Sequence, residues 1–245
     1  MSERPLEGRA GLVTGAGKGI GAAVLEAVAA RGARVVGMDV DQEALAATVG
    51  RATAAGGTAS AAAGDVSRFG DVEAAAGACR DRYDRVDFVV ANAGVGNYSL
   101  MSDGDPEAWR RLLEVNLLGA AYTVRAVLAE MKRRRSGDVV LMASIAGRES
   151  WVGEPIYIAS KWGMVGLARS LREECAPHEV RVTVVEPTMV DTPLVRSTED
   201  GRRELDEYPA LSAADVARFV VLALEQPPGV SVGEIVLRAV GPEIA

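Results

Sequence analysis

Cysteine and histidine are scarce in this chain of 245 residues, which has two cysteines and one histidine. Cys79 and Cys175 lie far apart without a Cys-x-x-Cys spacing, and His178 has no second imidazole to act with it. Because zinc and similar metals are held mainly by these side chains, the sequence predicts no metal site. We expect both cysteines to be buried or neutral thiols and His178 to have a structural role.

Long apolar runs are missing too. No stretch of 18 or more residues is uniformly apolar, so we expect no transmembrane helix. The opening stretch MSERPLEGRAGLVTG lacks the apolar segment of a signal peptide, which favours a cytoplasmic location. The net charge is 27 − 34 = −7, and the one basic cluster, 132–135, is typical of a helix end. This acidic balance argues against a nucleic-acid partner.

What the chain does have is a regular alternation of short apolar runs and longer amphipathic segments. The apolar runs predict strands at 10–15, 33–39, 86–94, 137–144, 180–187 and 233–240, with a weaker strand at 58–66. Helices are predicted near 18–31, 41–55, 68–84, 106–135, 156–176 and 212–226, with starts at Asp41, at Asp105 with Pro106, and at Ser212. No linker or repeat interrupts the pattern. We therefore predict one α/β domain over 1–245, a doubly wound parallel sheet of about seven strands with helices on both faces.

A glycine-rich turn follows the first predicted strand. In TGAGKGIG, the glycines at 15, 17, 19 and 21 do not match the Gly-x-Gly-x-x-Gly fingerprint, but a strand precedes them and a helix follows. Glycine at such a turn allows backbone amides to approach a diphosphate, so we predict a dinucleotide-binding turn formed by Gly15, Gly17, Lys18, Gly19, Ile20 and Gly21.

The choice between NAD and NADP depends on two side chains. Asp39 ends the second predicted strand, where a carboxylate binds the hydroxyls of the adenosine ribose and repels a 2′-phosphate. Lys18 could neutralise the diphosphate or attract that extra phosphate. We predict NAD, with NADP as the alternative.

Further candidate residues follow the third and fourth strands. Asp65 and Val66 could bracket an adenine edge, and the small residues of ANAG, with Asn92, Ala93 and Gly94, would let a ribose lie against the backbone. All lie at carboxyl ends of strands, where open α/β sheets bind their ligands.

A tyrosine and a lysine stand four positions apart in PIYIASKWG. On a helix, Tyr157 and Lys161 would project from the same face. Such a pair is either an ordinary surface contact or a proton-transfer pair, and this stretch alone leaves both open.

Five motifs, TGAGKGIG, NAG, VNLLG, ASIAG and YIASK, together resemble the single-domain type of the short-chain dehydrogenase/reductase family, from about residue 8 to residue 240. The resemblance implies NAD(P)-dependent interconversion of alcohols and ketones. It implies a catalytic set formed by Asn116, Ser144, Tyr157 and Lys161. It also implies that Pro187, Val190 and Thr192 hold the nicotinamide carboxamide, and that the protein is a homodimer or homotetramer paired through its two long helices.

The chemistry of that reaction explains these residue types. A free phenol titrates near pH ~10 and is a poor base at neutral pH. We expect Lys161 to lower the pKa of Tyr157 and to bind the nicotinamide ribose, while Ser144 orients the substrate oxygen. Asn116 would hold a water that relays protons to Lys161.

Two positions depart from the family pattern. Ala91 stands where the family has the first asparagine of NNAG, and Thr188 replaces the glycine that usually follows Pro187. We expect the first change to affect rigidity, and the second to restrict the backbone near the nicotinamide.

The substrate is the least determined part of the prediction. Arg148, Trp151 and Glu154 lie between the predicted catalytic serine and tyrosine, and Tyr98, Met189 and a lid at about 188–212 could close over them. Their polarity favours a sugar, cyclitol or natural-product intermediate, although the charges could instead face solvent. An epimerase or dehydratase that uses the dinucleotide transiently, or a catalytically silent cofactor-binding scaffold, are the alternatives.

Overall fold

The computed structural model of the protein describes residues 5–241. Its strands are β1 (Ala10–Thr14), β2 (Arg34–Asp39), β3 (Thr58–Ala63), β4 (Phe88–Ala91), β5 (Gly137–Met142), β6 (Val180–Pro187), β7 (Val190–Asp191), β8 (Leu211–Ser212) and β9 (Glu234–Leu237). Its α-helices are α1 (Gly19–Ala30), α2 (Gln42–Ala54), α3 (Phe69–Tyr83), α4 (Pro106–Leu113), α5 (Gly119–Arg134), α6 (Pro155–Cys175), α7 (Pro193–Arg196), α8 (Glu199–Glu207) and α9 (Ala213–Leu224).

Seven parallel strands form one sheet in the order β3-β2-β1-β4-β5-β6-β9, which confirms the predicted doubly wound fold. The chain first builds outward from β1 to β2 and β3, and then returns to place β4 on the other side of β1. Leu12 accordingly pairs with Val36 on one side and with Val89 on the other. This reversal opens a crevice at the carboxyl ends of β1 and β4, where such sheets bind ligands.

The two faces of the sheet are covered by different helices. Leu12 points into a core packed by α3, α5 and α6, whereas its neighbour Val13 points into a core packed by α1, α2 and α9. Both side chains are fully buried. Because successive residues of a strand face opposite sides, strands buried on both faces are mostly apolar, as FVVA of β4 and the central residues of β1 and β5 are.

The three predicted helix starts are confirmed. The Asp41 carboxylate accepts a hydrogen bond from the Ala44 amide, and Asp105 accepts one from the Glu107 amide with Pro106 in the first turn. Ser212 and Asp215 form a reciprocal capping box at the start of α9.

The predicted single helix at 106–135 has an interruption. Glu114–Leu118 form a π-helical turn between α4 and α5. By length and composition alone, the run Pro106–Arg134 is long and apolar enough to cross a membrane, but half of its most apolar stretch is buried inside the protein. A helix that packs in the core of a protein can have the same length and composition.

Two short parallel strands, β7 and β8, lie at the two ends of the predicted lid segment, and the sequence did not indicate them. In this pair Val190 of β7 lies opposite Leu211 of β8. The two ends of the segment that carries α7 and α8 are therefore side by side. Helices α7 and α8 lie between these two attachment points.

Both cysteines are buried, as predicted. Burial raises the pKa of the Cys79 thiol to about 12, so it stays protonated at neutral pH. His178 ends a 3-10 turn between α6 and β6, the connecting position that the sequence indicated.

Candidate active site

The glycine-rich turn leaves β1 and enters α1 with little room for side chains. Gly15 and Gly19 both have positive φ, at 65° and 55°. A Cβ on Gly15 would lie 2.7 Å from the Ala93 Cα, and one on Gly21 would overlap the Gly15 carbonyl oxygen. Ile20 is half-buried against the α1 side of the core. The turn thus has the form of a backbone cradle for a diphosphate, which fits the predicted dinucleotide.

Asp39 lies beside this cradle at the end of β2, and two hydrogen bonds hold its carboxylate. One carboxylate oxygen accepts a hydrogen bond from the Gly17 amide at 2.8 Å, and the other accepts one from the Asp41 amide at 2.9 Å. Lys18 lies outside the cradle, largely exposed, and its ammonium pairs with Asp41 at 2.6 Å. The Asp39 carboxylate therefore lies beside the turn at the end of β2, and the Lys18 ammonium is paired with Asp41.

The ends of β1 and β4 are joined by hydrogen bonds. The Asn92 side-chain amide donates to the carbonyl oxygens of Thr14 and Gly15, at 3.0 and 3.2 Å. The Thr14 hydroxyl accepts hydrogen bonds from the backbone amides of Asn92 and Ala93. Ala91 is buried within β4, so these bonds stabilise the strand end without an asparagine at that position. Thr14 was not predicted, although its position before the first glycine was a usable signal.

The predicted adenine residues lie at the end of β3. Val66 is buried, and the Asp65 carboxylate accepts hydrogen bonds from the Ser67 amide and hydroxyl and from the Arg111 guanidinium at 2.8 Å. Asp65 is therefore held in place by protein groups.

Asn116 sits at the centre of the π-helical turn and is fully buried. Its side-chain oxygen accepts from the Val95 amide at 2.8 Å, and its nitrogen donates to the Val95 carbonyl at 2.9 Å. The same nitrogen lies 3.3 Å from the Ser160 hydroxyl, which in turn donates to the Tyr157 carbonyl at 2.6 Å. A Cβ on Gly94 would lie 3.4 Å from the Asn116 side chain. The side chain thus connects the end of β4 with the first turns of α6. Insertion of a π turn at a functional position is a recurring arrangement in helices.

Ser144, Tyr157 and Lys161 are brought together by β5 and α6. Ser144 follows β5, where its hydroxyl accepts a hydrogen bond from the Ala146 amide at 3.2 Å, and it lies close enough to Tyr157 to lower the pKa of that phenol. The Lys161 ammonium donates to the Met142 carbonyl at 3.1 Å and lies 5.5 Å from the centre of the Tyr157 ring. The four-residue spacing therefore places both side chains on one helix face, as predicted, and that face turns toward the end of β5 rather than toward solvent.

The pKa values of this pair differ from the sequence prediction. Burial raises the pKa of Tyr157 to about 12, the hydrogen bond from Ser144 opposes the rise, and the negative charge of Glu154 adds to it. Burial also lowers the pKa of Lys161 to about 8. The net shift of the Tyr157 pKa is therefore opposite in direction to the predicted one. The cost of burying a phenolate is larger here than the attraction of a nearby amine.

The segment after β6 lies against the cradle. Pro187, Val190 and Thr192 are buried, and a Cβ on Gly19 would lie 3.3 Å from the Thr192 side chain. Thr188, which replaces the family glycine, donates its amide to the Leu237 carbonyl at 2.8 Å and accepts the Ala239 amide with its hydroxyl. A glycine would keep the amide bond, so the threonine adds only the hydroxyl bond to the Ala239 amide just after β9.

Three of the predicted substrate residues border one surface beside Tyr157. The Trp151 indole donates to the Glu154 carboxylate at 2.8 Å, and Glu154 begins the turn of α6 that holds Tyr157. The Tyr98 ring packs on Gly153, where a Cβ would lie 2.5 Å from two of its carbons. The Ser99 amide also donates to the Gly153 carbonyl at 2.7 Å.

Arg148 is directed elsewhere. Its guanidinium forms two hydrogen bonds to Glu186, at 2.7 and 2.8 Å, and also contacts Glu234. Glu186 is fully buried in β6 and was not predicted, although an acid inside an apolar strand was a visible signal. Because protein carboxylates occupy the guanidinium, we do not include Arg148 in the proposed substrate site. Met189 is half-buried and its carbonyl accepts from the Leu211 amide.

Comparison with known proteins agrees with this geometry. A family model described as short chain dehydrogenase matches residues 9–203. The chain belongs to the short-chain dehydrogenase/reductase family. It is 34% identical over 236 residues to an uncharacterized oxidoreductase of Staphylococcus saprophyticus, covering 96% of this chain and 99% of that protein. It is 35% identical over 198 residues to D-threitol dehydrogenase of Mycolicibacterium smegmatis, covering 81% and 76%.

A solved structure of a metagenomic short-chain oxidoreductase in complex with NADP superposes with a TM-score of 0.84. The two sequences are 32% identical, and the match covers 97% of this chain and 100% of the other. Members of the family use NAD(P), and the cradle and the Asp39 carboxylate fit such a group.

Proposed function

We propose that this protein interconverts a secondary alcohol and a ketone with a nicotinamide dinucleotide, and that Tyr157 transfers the proton. The observation that carries the proposal is the position of Tyr157. It lies beside Lys161, close enough to Ser144 for that hydroxyl to lower its pKa, on the carboxyl edge of the sheet that also bears the glycine cradle.

The mechanism follows from the protonation states. With a pKa raised to about 12, the Tyr157 hydroxyl keeps its proton at neutral pH and is a donor to the oxygen of a carbonyl substrate. Ser144 holds that oxygen, and Lys161, anchored on the Met142 carbonyl, would help to resupply the proton. A bound nicotinamide dinucleotide would supply or accept the hydride. In the alcohol-oxidising direction Tyr157 would first pass its own proton to Lys161 and a water held at Asn116, and would then take the hydroxyl proton of the alcohol.

NAD is the proposed cofactor, with NADP as the alternative. The carboxylate of Asp39 is fixed by two backbone amides at the ribose position, where it would repel a 2′-phosphate. Lys18, the one side chain of the turn that could attract that phosphate, is paired with Asp41.

The proposed substrate is a small polar alcohol or ketone. Support comes from the polar and aromatic side chains Tyr98, Trp151 and Glu154 beside Tyr157, with Met189 in the neighbouring segment. The similarity to a D-threitol dehydrogenase agrees with a hydroxyl-rich substrate.

The proposal is tested by replacing Tyr157 with Phe and screening alcohols and ketones by the absorbance of reduced nicotinamide. Loss of a general acid lowers kcat by about 100-fold or more. Tyr122→Phe is the matched control, because this ring packs edge-on against Phe69 away from the site. Full activity in Tyr157→Phe would refute the assignment. Release of reduced dinucleotide in step with product would exclude transient use by an epimerase.

A further inference from the structure

The surface that borders Tyr157 combines two aromatic rings with a carboxylate. We call Tyr98, Trp151 and Glu154 the aromatic–acidic rim. Tyr98 is 56% exposed and Trp151 39% exposed, so both rings remain accessible although each is fixed, one by packing on Gly153 and the other by its bond to Glu154. Glu154 is close enough to Tyr157 for its charge to raise the phenol pKa.

Glu154 has no cationic partner among residues 5–241. Three arginines of the neighbouring segments are paired with other acids: Arg148 with Glu186, Arg196 with Asp191 and Arg203 with Asp200. The ammonium of Lys161 donates to the Met142 carbonyl and pairs with no carboxylate among residues 5–241. The carboxylate is thus half-buried with a single neutral donor, the Trp151 indole.

A second acid faces the same place from the lid. Burial raises the pKa of Glu154, and the charge of Glu204 on α8 raises it further. Glu204 is itself half-buried, and α8 also carries Glu199, Asp200 and Glu207. Two carboxylates that lie within electrostatic range of each other, without a base between them, disfavour an anionic ligand at this position and favour a cation.

Exposed indole and phenol rings beside a carboxylate are the groups that bind ammonium ions, because the ring faces are negative and the carboxylate supplies the opposite charge. We propose that the substrate carries an ammonium or substituted-ammonium group, held by Glu154, Trp151 and Tyr98, while its hydroxyl or carbonyl carbon lies at Tyr157. This makes the substrate an amino alcohol or amino ketone. The inference rests on the proposed function and specifies its substrate class.

The test compares two secondary alcohols of the same shape and different charge: (2-hydroxypropyl)trimethylammonium and its carbon isostere 4,4-dimethylpentan-2-ol. Binding of each to the full chain is measured by calorimetry in the presence of NAD, and turnover is measured in parallel. We expect the cation to bind about tenfold more tightly, as cation–π and charge attraction together imply. In Glu154→Gln this preference should fall to the part that the two rings supply, because the charge attraction is lost.

Glu173→Gln is the matched control, because this exposed acid lies in the last turns of the same helix, away from Tyr157. Trp151→Leu should reduce the preference without a change in net charge. Equal affinity for the two alcohols in the wild type, or a preference as large in Glu154→Gln as in the wild type, would overturn the inference. Turnover of both alcohols without discrimination would remove the inference and leave the proposed function intact. Discrimination in binding without turnover of either alcohol would support a cation site at the rim and count against proton transfer at Tyr157, and with it against a substrate role for the cation.

Discussion

Asp39 illustrates how one residue can serve the fold and the ligand together. Its carboxylate accepts hydrogen bonds from the backbone on both sides, at Gly17 and Asp41, and so joins the glycine turn to the end of β2. A carboxylate fixed in this way cannot move aside for the 2′-phosphate of NADP. The side chain is therefore the natural place to test the choice of dinucleotide.

We expect Asp39→Asn to weaken NAD binding by about tenfold relative to NADP, because the amide keeps one acceptor but loses the charge that repels a 2′-phosphate. Dissociation constants for both dinucleotides, measured by fluorescence titration, check this. Glu43→Gln removes one negative charge from the first turn of α2 and serves as control. Tighter binding of NADP than NAD by the wild-type chain would contradict the proposal.

Burial of Lys161 makes the stability of the folded chain depend on pH. Its pKa is lowered to about 8 in the folded chain from an ordinary value of 10.5, so the unfolded chain binds more protons between those values. The contribution of Lys161 to the free energy of unfolding therefore increases as pH rises from about 8 to 10.5.

The measurement is urea denaturation of the wild type and Lys161→Met across this pH range. The difference in unfolding free energy between them should change in favour of the wild type as pH rises. Lys132→Met, which removes a surface lysine paired with Glu174, should give a difference that does not follow the same course. A pH-independent difference for Lys161→Met would show that the lysine is solvated.

Strands β6 and β9 are joined by charge as well as by their ladder. Glu186 is fully buried in β6, and Arg148, from the loop after β5, covers it and reaches Glu234 on β9. A buried carboxylate without a partner is costly, so this arginine is a structural element of the sheet edge.

We expect Arg148→Met to lower the free energy of unfolding by about 3 kcal/mol, because Glu186 would stay buried and unpaired. The double variant Arg148→Met with Glu186→Leu should recover most of the loss, because no uncompensated charge remains. Urea denaturation of both variants checks this. A single variant as stable as the wild type would mean that Glu186 is protonated or reached by water.

The two long helices of the molecule expose large apolar side chains. The π turn before α5 exposes Leu118, and α6 exposes Trp162, at 44% and 53%. Large apolar side chains on two long adjacent helices favour an interface. We propose that the protein forms a homodimer or homotetramer through these helices, with the edge strand β9 as a second contact.

Trp162→Glu should shift the protein toward a smaller assembly, because a charge would be buried at the interface. Light scattering after size exclusion measures this. Met101→Glu places the same charge on an exposed loop residue and should leave the mass unchanged. A wild-type chain that is monomeric at all concentrations tested would contradict the proposal.

The strands, helix caps and glycine turn could be predicted because each depends on residues close in sequence. Asp41 and Ser212 cap helices through bonds to residues three positions away. The Arg148–Glu186 pair joins residues 38 positions apart, and no local pattern indicates it. The direction of the Tyr157 pKa shift likewise depends on burial, which sequence spacing does not measure.

The hydrogen bond from the Ser99 amide to the Gly153 carbonyl has a practical consequence. Gly153 has a φ of 105° and leaves no room for a side chain against the Tyr98 ring, so neither loop can change alone. A graft that aims to give this enzyme another specificity must transplant both segments together. Substitutions confined to one of the two segments would break its packing against the other, so we expect many of those variants to fold poorly.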